Sequence, residues 1–327
     1  MMSSRQSNKT ILITGATGFI GSFFLRQIMS DVGFKIKIIT RKKVNCKNKN
    51  LEIFTINNII KYNNWTSILQ DVDYIIHLIG VSHFSNKIRN KKDYFNTINF
   101  DLTKKIVEAA KLSNVKKIVF LSSIKVNGEH TKKIKPFLSS DKPNPQDNYG
   151  LSKYKAEKII VKLCKSSTLN YTIVRPPLVY GPNVKGNFGL IIKAVKFGLP
   201  LPTLKLKNER SLISVYNLVD FLVFTIKNKK TDNEIILVAE EEEISVSELI
   251  SKICENLKHK SKFYTIQFPL PVFLLKWFFR SVGRKDLIYK LLMPLKIDKN
   301  EIKRKYLWKQ KYSFTESLKR TLNEENF

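Results

Sequence analysis

A short apolar segment that runs directly into a glycine-rich turn constrains this chain more than any other feature. Residues 10–14 (Thr-Ile-Leu-Ile-Thr) are followed by Gly15, Gly18 and Gly21. Such an apolar, β-branched run is typical of a buried parallel strand. The helical spacing of apolar residues over 19–29 indicates that a helix starts inside the turn. A strand, a glycine turn and a helix in this order are typical of a dinucleotide-binding βαβ unit.

Each glycine of the turn has a separate task in such a unit. Gly15 permits the tight turn, Gly18 lets the backbone approach a pyrophosphate, and Gly21 lets the helix pack closely on the strand. The helix N-terminus adds unpaired N–H groups and a partial positive charge for the phosphates. We therefore predict cofactor contacts along the whole turn, from Gly15, Thr17, Gly18, Phe19, Ile20 and Gly21.

Strand-like and helix-like segments alternate through the first half of the chain. Further strands are predicted over 35–40, 51–56, 74–79, 117–121 and 171–174, and helices over 65–70, 99–112 and 153–164. This alternation predicts parallel βαβ units and therefore an α/β fold with a Rossmann-like, doubly wound parallel sheet.

The regular alternation ends after Pro176-Pro177, and 181–212 is predicted to be largely irregular. Predicted elements beyond that point are helices over 188–197 and 245–257 and a strand over 234–238. We assign residues 1–180 to an NAD(P)-binding Rossmann domain and 181–327 to a smaller C-terminal α/β substrate lobe, with some segments crossing between the two.

The end of the second predicted strand bears on the choice of cofactor. NAD usually requires an acidic residue there to hold the ribose hydroxyls, whereas this chain has Arg41-Lys42. A guanidinium is suited to a 2′-phosphate, because it pairs with it in a bidentate manner. The sequence therefore favours NADP over NAD. The alternative is that Arg41 and Lys42 are two solvated basic residues in a Lys-rich chain.

Three polar residues form a candidate catalytic set. Tyr149 and Lys153 are four residues apart at a predicted helix start, so both project from one face. A nearby ammonium favours the phenolate form of a tyrosine, whose unperturbed pKa of about 10 otherwise makes it a poor base. Ser122 and Ser123 follow the predicted strand 117–121, at the sheet edge where ligand groups gather. This serine pair is therefore predicted to supply the hydroxyl that holds a substrate oxygen.

These motifs resemble the extended short-chain dehydrogenase/reductase superfamily of NAD-dependent epimerases and dehydratases. The stretches that carry the resemblance are 14–21, 122–123, 149–153 and 175–182. Three further stretches, 120–129, 184–188 and 210–215, are similar to a subgroup of UDP-glucose 4-epimerase-like proteins and 4-ketoreductases. The 4-ketoreductases of that subgroup make UDP-N-acetylquinovosamine for bacterial surface polysaccharides.

The resemblance implies a role for each matching residue. Ser123 would bind the C4 oxygen of a UDP-sugar, Tyr149 would move its proton, and Lys153 would tune Tyr149 and bind the nicotinamide ribose. The implied diphosphate ligands are Asn187 and Arg210, and Ser122 is a further implied substrate contact. Asn99 would support the site from a neighbouring helix. The remaining implied cofactor contacts are Asn58, Ile59, Leu78, Ile79, Gly80 and Pro176; Asn58 stands where the family often has Asp.

Two reactions at C4 suit such a site. A reductase of the UDP-N-acetylquinovosamine type would reduce a UDP-4-keto-6-deoxy-N-acetylhexosamine with a diffusible NADPH, and the Arg41-Lys42 pair favours it. An epimerase acting on UDP-glucose or UDP-N-acetylglucosamine would retain NAD. Dehydratases of the superfamily carry Asp-Glu after the catalytic hydroxyl residue, where this chain has Ile124-Lys125. The alternative of another class is a non-catalytic dinucleotide-binding or membrane-surface assembly protein.

Charge and composition limit the partners. The chain has 58 Lys plus Arg against 27 Asp plus Glu, for a net charge of +31. The excess is spread along the chain, so we expect attraction for anionic substrates and no specific nucleic-acid partner. No apolar run reaches the length of about 18 residues that a membrane span needs. The segment 268–279 is suited either to a buried or partner-facing helix or to a membrane surface.

The cysteines and histidines point to a protein without metal in a reducing compartment. The three cysteines are isolated and the four histidines are scattered, so neither a disulfide framework nor a metal site is expected. The short polar start has no signal peptide, and a cytoplasmic location is therefore predicted. Homodimerisation is common in the resembling family and is the expected assembly.

Overall fold

The structure is a computed structural model that describes residues 9–31, 33–41, 43, 48–82, 91–131, 135–199, 201–203, 208–257, 267–269, 277, 280–281 and 293–324. The chain divides into two compact units, each made of separate stretches. Unit 1 comprises 1–127, 142–175 and 219–236, and unit 2 comprises 128–141, 176–218 and 237–327. The predicted boundary at residue 180 stays a prediction.

The strands are β1 (Lys9–Thr14), β2 (Phe34–Thr40), β3 (Leu51–Thr55), β4 (Tyr74–His77), β5 (Lys117–Leu121), β6 (Asn170–Arg175), β7 (Leu178–Tyr180), β8 (Leu201–Thr203), β9 (Arg210–Ser214), β10 (Glu234–Leu237), β11 (Glu243–Ile244) and β12 (Gln267–Pro269). The helices are α1 (Phe19–Met29), α2 (Trp65–Leu69), α3 (Lys91–Phe95), α4 (Leu102–Leu112), α5 (Asn148–Lys165), α6 (Asn187–Lys196), α7 (Val215–Lys227), α8 (Val246–Leu257), α9 (Lys299–Tyr306) and α10 (Phe314–Glu324).

Seven strands of the described residues form one sheet in the order β10–β6–β5–β4–β1–β2–β3. Strand β1 pairs in parallel with both β2 and β4, so the strand order reverses beside it. In doubly wound sheets the crevice at such a reversal, at the carboxyl ends of the strands, is where ligands bind. The predicted α/β Rossmann-like sheet is therefore confirmed.

Burial explains why these segments form strands. Ile11, Leu12 and Ile13 are all completely buried, as expected for a central strand covered by helices on both faces. A core cluster of unit 1 joins the sheet to the helices, with Leu12 and Ile75 from the sheet and Ile106 and Ile160 from α4 and α5.

Two predicted boundaries differ from the structure for local reasons. Strand β4 ends at His77 and not at residue 79, because the next residues pass against the glycine turn; a Cβ at Gly15 would lie 2.9 Å from the Ile79 nitrogen. Helix α5 starts at Asn148, earlier than the predicted 153, because the Asp147 side chain accepts a hydrogen bond from the Gly150 N–H and caps it. The predicted helix 99–112 begins as a π-helical turn, Asn96–Asp101, before α4.

Unit 2 has its own small sheet, in the order β11–β9–β7 among the described residues. Strand β9 begins inside 181–212, the stretch that was predicted to be largely irregular, and that prediction is wrong for its last residues. Strand β9 is held by parallel pairing with β7 and antiparallel pairing with β11, which residue pattern alone does not reveal. The core of unit 2 includes Tyr180, Phe188, Leu249 and Phe314.

In the part of the chain that the structure describes, no helix combines the length and apolar character that crossing a membrane requires. The segment 268–279, predicted to suit a membrane surface, lies mostly outside the described residues.

Candidate active site

The glycine turn after β1 has the geometry that a close-lying ligand needs. Gly15 has a φ of +76°, which a residue with a side chain rarely adopts. A Cβ at Gly21 would lie 2.0 Å from the Gly15 carbonyl oxygen, so α1 approaches the turn as closely as only glycine permits. The Gly18 N–H donates to the Gly15 oxygen at 2.9 Å and closes the turn.

The N-terminus of α1 has no side-chain cap among the described residues. Gly18 is its N-cap residue, and the first turn of the helix, from Phe19, contains no acidic side chain. N–H groups at such a helix start attract an anion through hydrogen bonding and the helix dipole. The turn therefore fits a pyrophosphate group, and Thr17, Phe19 and Ile20 stay predicted contacts.

Strand β5 and helix α5 bring a serine and a tyrosine together. The Tyr149 side chain, in the first turn of α5, lies beside the Ser123 side chain just beyond β5, close enough for the Ser123 hydroxyl to act on its pKa. The Ser123 oxygen also accepts from the Lys125 N–H at 3.3 Å. Burial of the phenol raises the pKa of Tyr149 to about 12. The Ser123 hydroxyl lowers this pKa, and the negative charge of Asp147 raises it further. Tyr149 therefore holds its proton at neutral pH.

Lys153 lies one helical turn after Tyr149 and is 3% exposed. Its ammonium donates to the Leu121 carbonyl oxygen at 2.8 Å, at the end of β5. A Cβ at Gly80 would lie 2.8 Å from the Lys153 Nζ, so this glycine leaves room for the lysine at the end of β4. Burial lowers the pKa of Lys153 to about 7, and the Glu157 carboxylate opposes that fall.

Asn99 links the lysine helix to the chain beyond β4. Its amide nitrogen donates to the Ser152 hydroxyl at 2.9 Å, and its oxygen accepts from the Val81 N–H at 2.9 Å. The residue is completely buried. These bonds fix the Asn99 side chain, while its predicted supporting role and its predicted contact with the cofactor stay predictions.

His77 is a buried residue at this sheet edge to which the sequence assigned no role of its own. Its Nδ1 lies 2.6 Å from the Thr14 hydroxyl, and its Nε2 lies 2.9 Å from the Thr103 hydroxyl. Burial, together with the charge of Lys153, lowers the pKa of His77 to about 3. His77 is therefore neutral at physiological pH, with a hydroxyl partner for each ring nitrogen.

The other predicted cofactor residues of unit 1 lie at the ends of its strands. Arg41 directly follows β2 and is exposed, while Lys42 lies outside the described residues. Asn58 is exposed and accepts a hydrogen bond from the Lys61 N–H at 3.2 Å. Ile59 packs against the core of unit 1, and Leu78 donates its N–H to Thr14.

Three of the predicted ligand-contact residues belong to unit 2. Pro176 is buried directly after β6, and Asn187 is exposed at the first position of α6. Arg210 starts β9 and donates from Nη1 to the Met293 carbonyl oxygen at 2.8 Å. Burial lowers the pKa of Arg210, and the nearby Glu129 carboxylate opposes that fall. Their ligand contacts stay predictions.

Sequence reasoning missed a buried ion pair behind Ser123. Glu157 of α5 pairs with Arg175 at the end of β6, and Glu157 also accepts from the Ser122 hydroxyl. Two signals pointed to it: Glu157 stands four residues after Lys153, on the same helix face, and Arg175 directly follows the apolar pair Ile173-Val174. The Ser122 hydroxyl therefore has an internal partner, and its predicted substrate contact stays a prediction.

Comparison with known proteins extends these observations. Residues 11–239 match the NAD dependent epimerase/dehydratase family. A UDP-glucose 4-epimerase from Vibrio cholerae is 33% identical over 319 residues, which cover 97% of this chain and 95% of that protein. The N-acetyl-alpha-D-glucosaminyl-diphospho-ditrans,octacis-undecaprenol 4-epimerase from Escherichia coli O157:H7 is 24% identical over 268 residues, which cover 80% of this chain and 77% of that protein.

Solved structures resemble the fold over nearly the whole chain. The UDP-glucuronic acid 4-epimerase from Bacillus cereus, in complex with NAD, matches with a TM-score of 0.76 at 20% identity, covering 96% of this chain and 97% of that one. The UDP-N-acetylglucosamine 4-epimerase from Methanobrevibacter ruminantium M1, in complex with UDP-N-acetylmuramic acid, matches with a TM-score of 0.77 at 22% identity, covering 97% of each chain.

The sequence matches and the fold agree with each other. They confirm the predicted kinship with the extended short-chain dehydrogenases/reductases, and with it the prediction that the chain is an enzyme. The chain belongs to the NAD dependent epimerase/dehydratase family.

Proposed function

We propose that this enzyme moves hydride at C4 of a UDP-hexose and that it acts as a 4-epimerase with retained NAD. The observation that carries the proposal is the placement of the Ser123 hydroxyl beside the Tyr149 phenol, one helical turn from the buried Lys153. The near full-length similarity to a UDP-glucose 4-epimerase supports it.

The residues of unit 1 fit a nicotinamide dinucleotide. Gly15, with its positive φ, and Gly21, with its close approach to the turn, present backbone and no side chain at those two positions. In the proposal this turn holds the pyrophosphate, Arg41, Asn58 and Ile59 flank the adenosine half, and Lys153 holds the nicotinamide ribose. When bound, the nicotinamide would supply the acceptor and the donor for the hydride at C4.

In the proposal Ser123, Tyr149 and Lys153 have separate roles in proton transfer at the C4 hydroxyl. Ser123 holds the C4 oxygen, and Tyr149 takes the hydroxyl proton during oxidation and returns it during reduction. Because burial raises the pKa of Tyr149 to about 12, a positive charge is needed to favour the phenolate. In the proposal Lys153 supplies part of that charge, since its pKa of about 7 leaves it partly protonated near neutrality. In the proposal Asn187 and Arg210 hold the diphosphate of the substrate.

The nucleotide that copurifies with the enzyme tests the epimerase proposal. We expect acid-released NAD or NADH near one equivalent, and conversion of a UDP-hexose to its C4 epimer without added cofactor. Mass spectrometry and chromatography of reactions with UDP-glucose, UDP-N-acetylglucosamine and their C4 epimers provide the measurement. A protein that binds no pyridine nucleotide, or that leaves every one of these sugars unchanged, contradicts the proposal.

A 4-ketoreductase is the second candidate, and Arg41 is the observation that favours it. The side chain is exposed directly after β2, at the position where NAD-specific enzymes usually carry an acid. A reductase of the UDP-N-acetylquinovosamine type would consume NADPH and release NADP. In that case Arg41→Asp should raise KM for NADPH by about tenfold or more, while KM for NADH changes little. Equal effects on both nucleotides, with a UDP-4-keto sugar as substrate, would rule out a 2′-phosphate contact.

We also propose a cytoplasmic homodimer that works in surface polysaccharide synthesis. The free cysteines Cys164 and Cys254 suit a reducing compartment. A relative from Escherichia coli O157:H7 is a 4-epimerase of an undecaprenol-linked sugar, which supports the polysaccharide role.

A further inference from the structure

In the buried ion pair of Glu157 and Arg175, both carboxylate oxygens accept hydrogen bonds. Both partners are 2% exposed at the side chain. Glu157 Oε1 accepts from Arg175 Nε at 2.9 Å and from the Ser122 hydroxyl, and Glu157 Oε2 accepts from Arg175 Nη2. The remaining guanidinium nitrogen, Nη1, donates to Asn127 Oδ1 at 2.9 Å. The pair therefore contacts helix α5, strand β6 and two points of the loop after β5.

The two contacts in this loop, Ser122 and Asn127, lie on either side of Ser123 in the sequence. Ser122 precedes it, and Asn127 ends the short 3-10 turn Ile124–Val126 that follows it. Backbone bonds tie the same points, because the Ser122 N–H donates to the Val174 oxygen at 2.7 Å and the Asn127 N–H donates to the Ile124 oxygen at 2.8 Å. The segment that carries Ser123 is thus anchored at both ends.

The carboxylate of the pair lies on the helix that carries the other two catalytic candidates. Tyr149, Lys153 and Glu157 are spaced by four residues along α5, which places them along one helix face. One bidentate ion pair therefore connects the serine loop to the tyrosine helix.

We propose that Glu157 and Arg175 are positioning residues that hold Ser123 at hydrogen-bonding distance from Tyr149. The inference rests on the proposed function in that it assigns the pair a purpose in C4 chemistry. A buried ion pair is poor evidence for added stability, because the cost of removing two charges from water offsets their attraction. A planar guanidinium that bonds in a bidentate fork does, however, define distance and angle, which a lysine ammonium does not.

Arg175→Lys tests the proposal, because it keeps the charge and removes the fork. Asn127→Ala is the second variant, since it releases the far end of the loop and leaves the ion pair intact. For both we expect kcat to fall by up to about 10²-fold, the scale of an ångström-sized misplacement, with KM and nucleotide retention much less affected.

The control is an ion pair at the start of β5, the strand that ends just before Ser122. Lys117, the first residue of β5, is 4% exposed, pairs with Asp232 and donates to the Thr225 oxygen at 2.7 Å. Lys117→Met should lower the melting temperature at least as much as the two variants while leaving kcat close to wild type. If Arg175→Lys and Asn127→Ala lose no more kcat than Lys117→Met does, the positioning role is refuted.

A second readout needs no substrate. In protein labelled with 13C at tyrosine Cζ, the Tyr149 resonance reports its hydrogen bond, and Ser123→Ala provides the reference without that bond. Arg175→Lys and Asn127→Ala should move the resonance towards this reference, and Lys117→Met should not. A wild-type resonance in both variants overturns the inference. Failure of the wild-type enzyme to convert any UDP-sugar would instead refute the proposed function and leave this result standing.

Discussion

At the scale of single residues, burial decides which groups hold protons. Tyr149 has a pKa raised to about 12 and Lys153 a pKa lowered to about 7, and in both cases the largest cause is loss of solvent. The sequence predicted that these side chains would lie near each other. The sequence did not show that burial raises the pKa of Tyr149 and keeps the side chain protonated, because burial depends on which residues pack around the helix.

Tyr149→Phe should lower turnover by about 10²-fold or more, because the proposed acid and base is lost while the ring is kept. Nucleotide binding should remain close to wild type. Steady-state rates with the active UDP-sugar and the amount of copurified nucleotide provide the measurement. Tyr154→Phe, five residues along the same helix, is the control and should stay active. Unchanged turnover in Tyr149→Phe would refute the assigned role.

His77 should make the fold sensitive to acid. Its pKa is about 3 in the folded protein and 6.5 in the unfolded chain, so the unfolded chain binds more protons between these values. The free energy of unfolding should therefore fall on acidification below pH 6.5, by up to about 1.4 kcal/mol per pH unit from this residue. The folded-state value results from burial between Thr14 and Thr103 and is not visible in the sequence.

Urea unfolding of the wild type and of His77→Gln between pH 4 and pH 7.5 measures that contribution. The variant should have the shallower dependence on pH below 6.5, and the two curves should run parallel above it. Identical slopes over the whole range would show that His77 has the same pKa in the folded and unfolded protein, which contradicts the prediction.

At the scale of secondary-structure elements, the contact between the glycine turn and α1 is a backbone contact. A Cβ at Gly21 would lie 2.0 Å from the Gly15 oxygen, and rigid backbone cannot yield as a flexible side chain would. The glycine spacing in the sequence predicted this close packing. By contrast, the early start of α5 depends on the Asp147 cap. The end of β4 depends on the close passage of Leu78 and Ile79 against the glycine turn.

Gly21→Ala should lower the free energy of unfolding by about 1–3 kcal/mol, the usual cost of overpacking, and should weaken nucleotide binding. Denaturant unfolding and fluorescence titration with NAD measure the two effects. Gly33→Ala is the control, because Gly33 is exposed and a Cβ there would meet only the Asp31 side chain, at 3.3 Å. Equal stability of the two variants would contradict the close packing at Gly21.

At the scale of the whole molecule, the net charge of +31 acts on any anionic substrate. A UDP-sugar carries a diphosphate, so long-range attraction should raise its rate of association, and salt should screen that attraction. We expect kcat/KM to fall as NaCl rises from about 0.02 M to 0.5 M, while kcat changes little. Initial rates at matched pH measure this dependence. A kcat/KM that is independent of salt would show that the charge does not assist substrate capture.

The sequence by itself determined the predicted nucleotide-binding turn and the candidate catalytic helix, because the geometry of both depends on the spacing of residues that are close in the chain. A buried strand, glycines at 15, 18 and 21, and a tyrosine and lysine on one helix face are all readable from neighbouring residues. Only the tertiary structure decided which distant residues share the interior. The Glu157–Arg175 pair, the two hydroxyl partners of His77 and the ladder that forms β9 join residues far apart in the chain. Their contacts depend on burial and strand pairing, which no local pattern specifies.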